Sequence, residues 1–177
     1  RYKGATQQAL RVDDNTPEAY IALAYLRVND PAHRSEAKAL IERAVDLAPF
    51  NSTARVRYGW ILLSEQNIEA TVQQMRLSQE YDPLSPISNG ALCQALEYQG
   101  KFDEAIQYCE KSVELSPGGF NSQMYLAEGY FVAGRTDEGM ELGDKRLATK
   151  RGNKQMEAQN TTGYCPATAG HEQKTKK

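Results

Sequence analysis

At 177 residues, with 21 basic against 23 acidic side chains and 40% hydrophobic residues, the chain is long enough for one sizeable domain with a continuous core. Its near-balanced charge gives no reason to expect nucleic acid or an anionic membrane as partner, and no run of about eighteen apolar residues marks a membrane span. The N-terminus has no charged-then-apolar leader, and an opening on Arg1 rather than Met reads as a piece of a longer protein. Three cysteines, Cys93, Cys109 and Cys165, have neither metal-ligand spacing nor the density of a disulfide scaffold. They read as reduced thiols, with Cys93 and Cys109 as small core residues, and this points to a cytoplasmic setting.

Taken along the chain, apolar residues return every three or four positions in a series of short segments, as amphipathic helices require. "YKGATQQALRVDD" comes first, followed by "PEAYIALAYLRV", with Pro17 in a first-turn position that tolerates a missing amide. "RSEAKALIERAVDLAP" follows, then "STARVRYGWILLSEQ", with Asn51 or Ser52 as its N-cap. After "IEATVQQMRLSQEYDP", Ser85 and Pro86 supply a cap and a first-turn proline for "PISNGALCQALEYQG". "GKFDEAIQYCEKSVELSP" and "FNSQMYLAEGYFVAG" complete the clear series, with Gly100 and Gly134 where one helix must turn into the next. The following helix contains Gly139 and Gly143, each costing about 1 kcal/mol relative to alanine. Near the end "GYCPATAGH" imitates "GYFVAGR" but is interrupted by Pro166, and from about Gly152 the segment is poor in large apolar residues and reads as loosely ordered.

Pro49, Pro83 and Pro117 each close a helical run and stand 34 residues apart. Alignment on them brings Ala37, Thr71 and Ala105 into register, and likewise Ala44, Ser78 and Ser112, small side chains where two helices approach closely. The unit of helix, turn, helix and proline turn resembles the tetratricopeptide repeat. The resemblance is fullest over residues 86–117, through Leu92, Cys93, Leu96, Gly100, Phe102, Ala105 and Pro117. Residues 52–83 share Tyr58, Gly59, Leu62 and Pro83, but Thr71 stands where alanine is usual. Residues 17–49 share Tyr20, Leu23, Ala24, Ala37 and Pro49, with one extra residue near "NDPAHR"; residues 120–151 share Leu126, Ala127, Tyr130 and Gly134.

The resemblance implies an all-α fold: an α-solenoid of antiparallel helix pairs wound as a right-handed superhelix. Its divisions would be the second helix of a partial preceding repeat at 1–14, repeats at 15–49, 50–83 and 84–117, a degenerate repeat at 118–151, and a basic tail at 152–177 with a remnant fifth repeat. Because each repeat leans only on its neighbours, stability is expected to fall toward the C-terminus.

Family members bind peptides or helices on the concave face lined by first helices. Carried across, the groove positions are Ile21, Tyr25 and Val28; Val56, Trp60 and Leu63; Gln94, Glu97 and Tyr98; and Met124, Glu128 and Phe131. The anchors expected from these are Ile21, Tyr25, Val56, Trp60, Leu63, Tyr98, Met124 and Phe131, a largely apolar set suited to a peptide or an amphipathic helix. Apolar residues at 21, 25, 56 and 60 argue against the polar carboxylate clamp of the subclass that binds C-terminal tails. Arg27, Arg55 and Arg57 read as rim residues on a solvated helix surface.

No catalytic, cofactor or metal site is expected. The histidines, His33 and His171, fall in a turn and in the tail, and no glycine-rich phosphate loop is present. From Asp144 onward eight Lys/Arg stand against three Asp/Glu, but this basic end has Tyr164 as its sole aromatic and reads as solubilising rather than as a nucleic-acid or lipid reader. The expected function is that of a protein-interaction scaffold without a small-molecule substrate. The alternatives are a regulatory or sensory arm of a transcription regulator, cyclase or kinase, and a structural array that self-associates through its open ends.

Overall fold

A computed structural model describes residues 15–28 and 30–152. The partial repeat expected over 1–14, the tail beyond Gly152 and Cys165 lie outside the described residues. Within them the chain forms eight α-helices and no strand: α1 Pro17–Val28, α2 Arg34–Leu47, α3 Ser52–Ser64, α4 Ile68–Tyr81, α5 Pro86–Tyr98, α6 Phe102–Leu115, α7 Phe120–Val132 and α8 Thr136–Gly152. A short 3-10 turn, Pro31–His33, absorbs the extra residue between α1 and α2, and the Asp30 carboxylate accepts from the Ala32 amide to start it.

Local chemistry sets the helix ends. Asn51 caps α3 by accepting from Ala54 N, Asn67 caps α4 from Ala70 N, and Ser85 caps α5 from Ser88 N with Pro86 next in line. Between the helices of the last three pairs the chain turns through a left-handed residue at 66, 100 and 134, with φ of 61°, 78° and 77°. Glycine fills the last two places, whereas the first holds Gln66, whose Cβ is strained there. Gln66→Gly is expected to stabilise the fold by up to about 1 kcal/mol after the entropy of the freer unfolded chain is deducted. Thermal denaturation with unchanged or lowered midpoint would show that the turn carries no such strain.

Each helix packs antiparallel on the next, and the small positions of the repeat lie at these crossings. Ala37, Thr71, Ala105, Ala44, Ser78 and Ser112 are all buried. Thr71 is tolerated because its hydroxyl is used locally: it donates to Asn67 O at 2.8 Å, with Gly59 O 3.3 Å away. Ser78 Oγ lies 3.0 Å from Ser52 O and 2.9 Å from Ser88 Oγ, while Ser112 Oγ lies 2.7 Å from Pro86 O and 2.8 Å from Ser122 Oγ. Every member of the second set is 34 residues beyond its counterpart in the first, so a buried polar rung joins α4, and another α6, to the following pair. Ala44 and Ala54 are buried at the corresponding places one unit earlier, without a hydroxyl.

A further latch is built from three different residues. Arg55 Nη2, Asn89 Nδ2 and Gln123 Nε2 donate to the carbonyls of Pro49, Pro83 and Pro117, at 2.9, 3.0 and 2.5 Å. Each satisfies the carbonyl of the proline in the turn between one helix pair and the next. Arg55, expected on the rim, is therefore a latch residue, and its Nη1 also reaches Gln74 Oε1 at 2.8 Å.

The main core runs through α3 to α7 and includes Val56, Met75, Leu92, Leu96, Ile106 and Leu126. A separate N-terminal cluster of Ala24, Ala37, Ile41, Ala44, Ala54 and Ile61 is built largely from alanine. In α8 Gly139 is the buried residue among those whose side-chain environment is described. A Cβ at Gly139 would stand 3.1 Å from the Phe131 ring, so close packing explains this glycine inside a helix.

The structure corrects the reading of the cysteines as reduced thiols. Cys93 of α5 and Cys109 of α6 are wholly buried, as expected, but are joined by a disulfide, with Cα atoms 5.3 Å apart. The bond withdraws the support that reduced thiols gave to a cytoplasmic setting. No helix among the described residues is long and apolar enough to cross a membrane.

Candidate interaction groove

The packing of helices onto one another defines an inside and an outside. First helices touch in succession, α1 with α3, α3 with α5 and α5 with α7, whereas the backbones of the second helices α2, α4, α6 and α8 stay apart among the described residues, α4 and α6 being bridged by the long side chains of Arg76 and Glu104. A stack in close contact along one edge and open along the other curves toward the close edge. The first helices therefore line the concave face.

The sequence-predicted anchors divide into three groups on this scaffold. Tyr25 and Tyr98 are 45% and 48% exposed, and the Arg57 guanidinium sits over the Tyr25 ring at 4.6 Å, joining α3 to α1 across the face. Ile21, Trp60, Leu63 and Met124 are half-buried; Ile21 packs against the N-terminal cluster and Trp60 against the main core. Val56 is only 4% exposed and belongs to the core, so its side chain offers packing rather than surface. Phe131 is 48% exposed but lies against Gly139 of α8, its own helix partner. Of the flanking residues, Val28 is half-buried and Gln94 is buried.

The arginines also separate. Arg27 pairs with Glu36 at 3.1 Å, and Arg55 is held in its latch. Arg57 is exposed and has no carboxylate within ion-pair distance among the described residues.

At the other end of the face, composition-based reading missed an electrostatic feature. Glu97 of α5 points into the crevice between α5, α6 and α7. Its Oε1 is 3.5 Å from Cys93 Sγ, and a Cβ added at Gly129 of α7 would stand 2.9 Å from it. Burial, with the charge of Glu128 beside it, pushes the Glu97 carboxyl up to about 8, and burial raises Glu128 as well. No cation lies within ion-pair distance of either carboxylate among the described residues. The disulfide leaves Cys93 without a proton, so any hydrogen bond at that 3.5 Å contact must come from protonated Glu97.

Cys93 Sγ, Cys109 Sγ and a Glu97 oxygen also fall within 4.8 Å of one another. With both sulfurs in the disulfide, neither is the thiolate that metal binding needs. Elsewhere an open depression of about 410 Å³ at the α5–α6 turn is bordered by Gly100, Lys101, Phe102, Asp103, Glu104 and Ala133, none of them a predicted groove residue.

This architecture of antiparallel helix pairs, small-residue crossings and left-handed turns is that of a tetratricopeptide-type solenoid, and residues 89–118 match the tetratricopeptide repeat model. Among solved structures, MamA from Desulfovibrio magneticus RS-1 is 16% identical, with 86% of this chain and 95% of that one aligned at a TM-score of 0.68. MamA AMB-1 is 23% identical over 85% of this chain and 93% of that one, with a TM-score of 0.65. A thermophilic tetratricopeptide protein of Thermus thermophilus is 13% identical over 71% and 70% of the two chains, with a TM-score of 0.63. At these identities the likeness is one of fold. No curated protein matches the sequence.

Proposed function

We propose that the chain is a protein-interaction scaffold that holds a partner peptide or amphipathic helix on the concave face formed by α1, α3, α5 and α7. The observation that carries this reading is the contact pattern: the first helices form one continuous inner surface, and Tyr25, Tyr98 and Arg57 remain exposed on them. Aromatic and guanidinium side chains on a preformed surface supply anchoring at low entropic cost. Trp60 contributes the edge that its packing leaves uncovered.

Affinity capture from the source lysate, followed by titration of the captured protein, tests the proposal with Tyr25→Ala and Trp60→Ala. Each substitution is expected to weaken binding by about 1–2 kcal/mol with helicity preserved. Tyr25 is the cleaner probe, since Trp60 also packs on the core, and Val56 is unsuitable because it is core. A partner bound equally well by both folded variants would move the site off the groove. Mass that grows with concentration in sedimentation, with no second protein captured, would instead support self-association through the ends of the array.

A further inference from the structure

The concave face is electrically two-ended. Toward α1 and α3 it presents Arg57 stacked on Tyr25. Toward α5 and α7 it presents Glu97 and Glu128, with Tyr98 exposed beside them. Neither end has an opposite charge of its own within ion-pair distance among the described residues. By contrast, Arg27 and Arg76 are paired, with Glu36 and Glu104, and Arg55 is fully used by the latch and Gln74. Two seams between neighbouring first helices are thus left, one with a guanidinium and the other with a carboxyl pair, that no opposite charge answers, and half-buried Trp60 lies on α3, three residues beyond Arg57.

We infer that the groove is built for a bipolar peptide, with an Asp or Glu of the partner against Arg57 and a Lys or Arg against the Glu97–Glu128 pair. This rests on the groove reading above and names the chemistry of its occupant. The two seams are two helix spacings apart, on the order of 16–20 Å, which an extended peptide crosses in about five or six residues. Opposite charges at that separation, with an apolar residue over Trp60 near the acidic one, are what the face selects. The acidic end carries a second consequence. Burial and the neighbouring Glu128 favour the neutral form of Glu97 in the free chain, and a cation brought against it favours the ionised form. A neutral or acidic segment has nothing to offer there.

Selection of a phage-displayed library of random linear peptides on the immobilised, folded chain tests this directly. Enriched peptides are expected to carry one acidic and one basic residue at the stated separation, in either chain direction. Replacing the peptide's basic residue by alanine should weaken binding about tenfold, and Glu97→Gln with Glu128→Gln in the protein should cause a similar loss. Combining the two changes should then cost little more than either alone, a coupling that a structural defect would not reproduce. Arg57→Ala should couple in the same way to the peptide's acidic residue.

Peptides that depend on Tyr25 and Trp60 but show no charge pattern, or whose charges do not couple to these residues, would overturn the inference and leave the groove reading standing. No enrichment, or enrichment indifferent to Tyr25 and Trp60, would overturn both. Circular dichroism of each variant separates loss of binding from loss of fold.

Discussion

Leu92→Ala should cost the protein about 3 kcal/mol and should turn a single urea transition into two. Leu92 is fully buried on α5, in the cluster that joins Val56 and Met75 of the preceding pair to Leu126 of the following one. Removing its branched end deletes apolar contact and leaves a cavity that the tightly fixed helix pair cannot fully close. In a stacked array each pair is held by its neighbours, so damage at a central pair uncouples what lies on either side. The N-terminal cluster, made mostly of alanines, would then melt apart from the remainder. Circular dichroism against urea reads both effects, and a single transition displaced by less than about 1 kcal/mol would show that α5 does not couple the array.

Glu97→Gln should have the second large effect, visible in how stability changes with pH. In the fold the Glu97 carboxyl is raised to about 8, whereas in the unfolded chain it returns to the ordinary range near 4.5. The folded state therefore keeps a proton that the unfolded state has released. This contribution is fully present below the unfolded value, declines by about 1.4 kcal/mol per pH unit as the pH rises between the two values, and is gone above the folded one. The total is on the order of a few kcal/mol, tempered by the part of the side chain that water reaches. Raised Glu128 adds in the same direction. Glutamine keeps the shape and abolishes the titration, so the variant's advantage should grow steadily from pH 5 to pH 8. Parallel pH profiles for the two proteins would mean that the carboxylate is adequately solvated in the fold.

Much of the architecture was legible because it depends on short-range chemistry. Helix periodicity, the Asn51 and Ser85 caps, the glycine turns at 100 and 134, and the burial of small residues at 34-residue intervals each follow from a few neighbouring positions. The disulfide depended on a relation the composition-based reading did not use. Cys93 and Cys109 are equidistant from Lys101, at the turn of an antiparallel hairpin, and residues so placed face each other. That symmetry was the available signal. The proline latch gave none, since arginine, asparagine and glutamine share a donor but no sequence pattern.

The groove was the least legible part. Whether a first-helix residue faces the open surface or the next pair turns on a fraction of a helical turn and on the size of its neighbours. Gly90 illustrates this: a Cβ there would lie 3.0 Å from the Tyr125 ring of α7. Val56 falls on the packed side of that divide and Tyr25 on the open side. The carboxylate pair emerges only when α5 and α7 are brought together, because Glu97 and Glu128 are far apart in sequence.

Helices that meet along the inner edge, and touch along the outer one through the Arg76–Glu104 ion pair, also fix where the molecule bends. Any flexing of the array pivots on the inner seams, and the outer edge opens or closes like the pages of a book while the spine keeps its length. On that geometry the separation of Arg57 from the Glu97–Glu128 pair should change less with curvature than distances along the outer edge. The scaffold acts as a flexible ruler whose inner graduations move least.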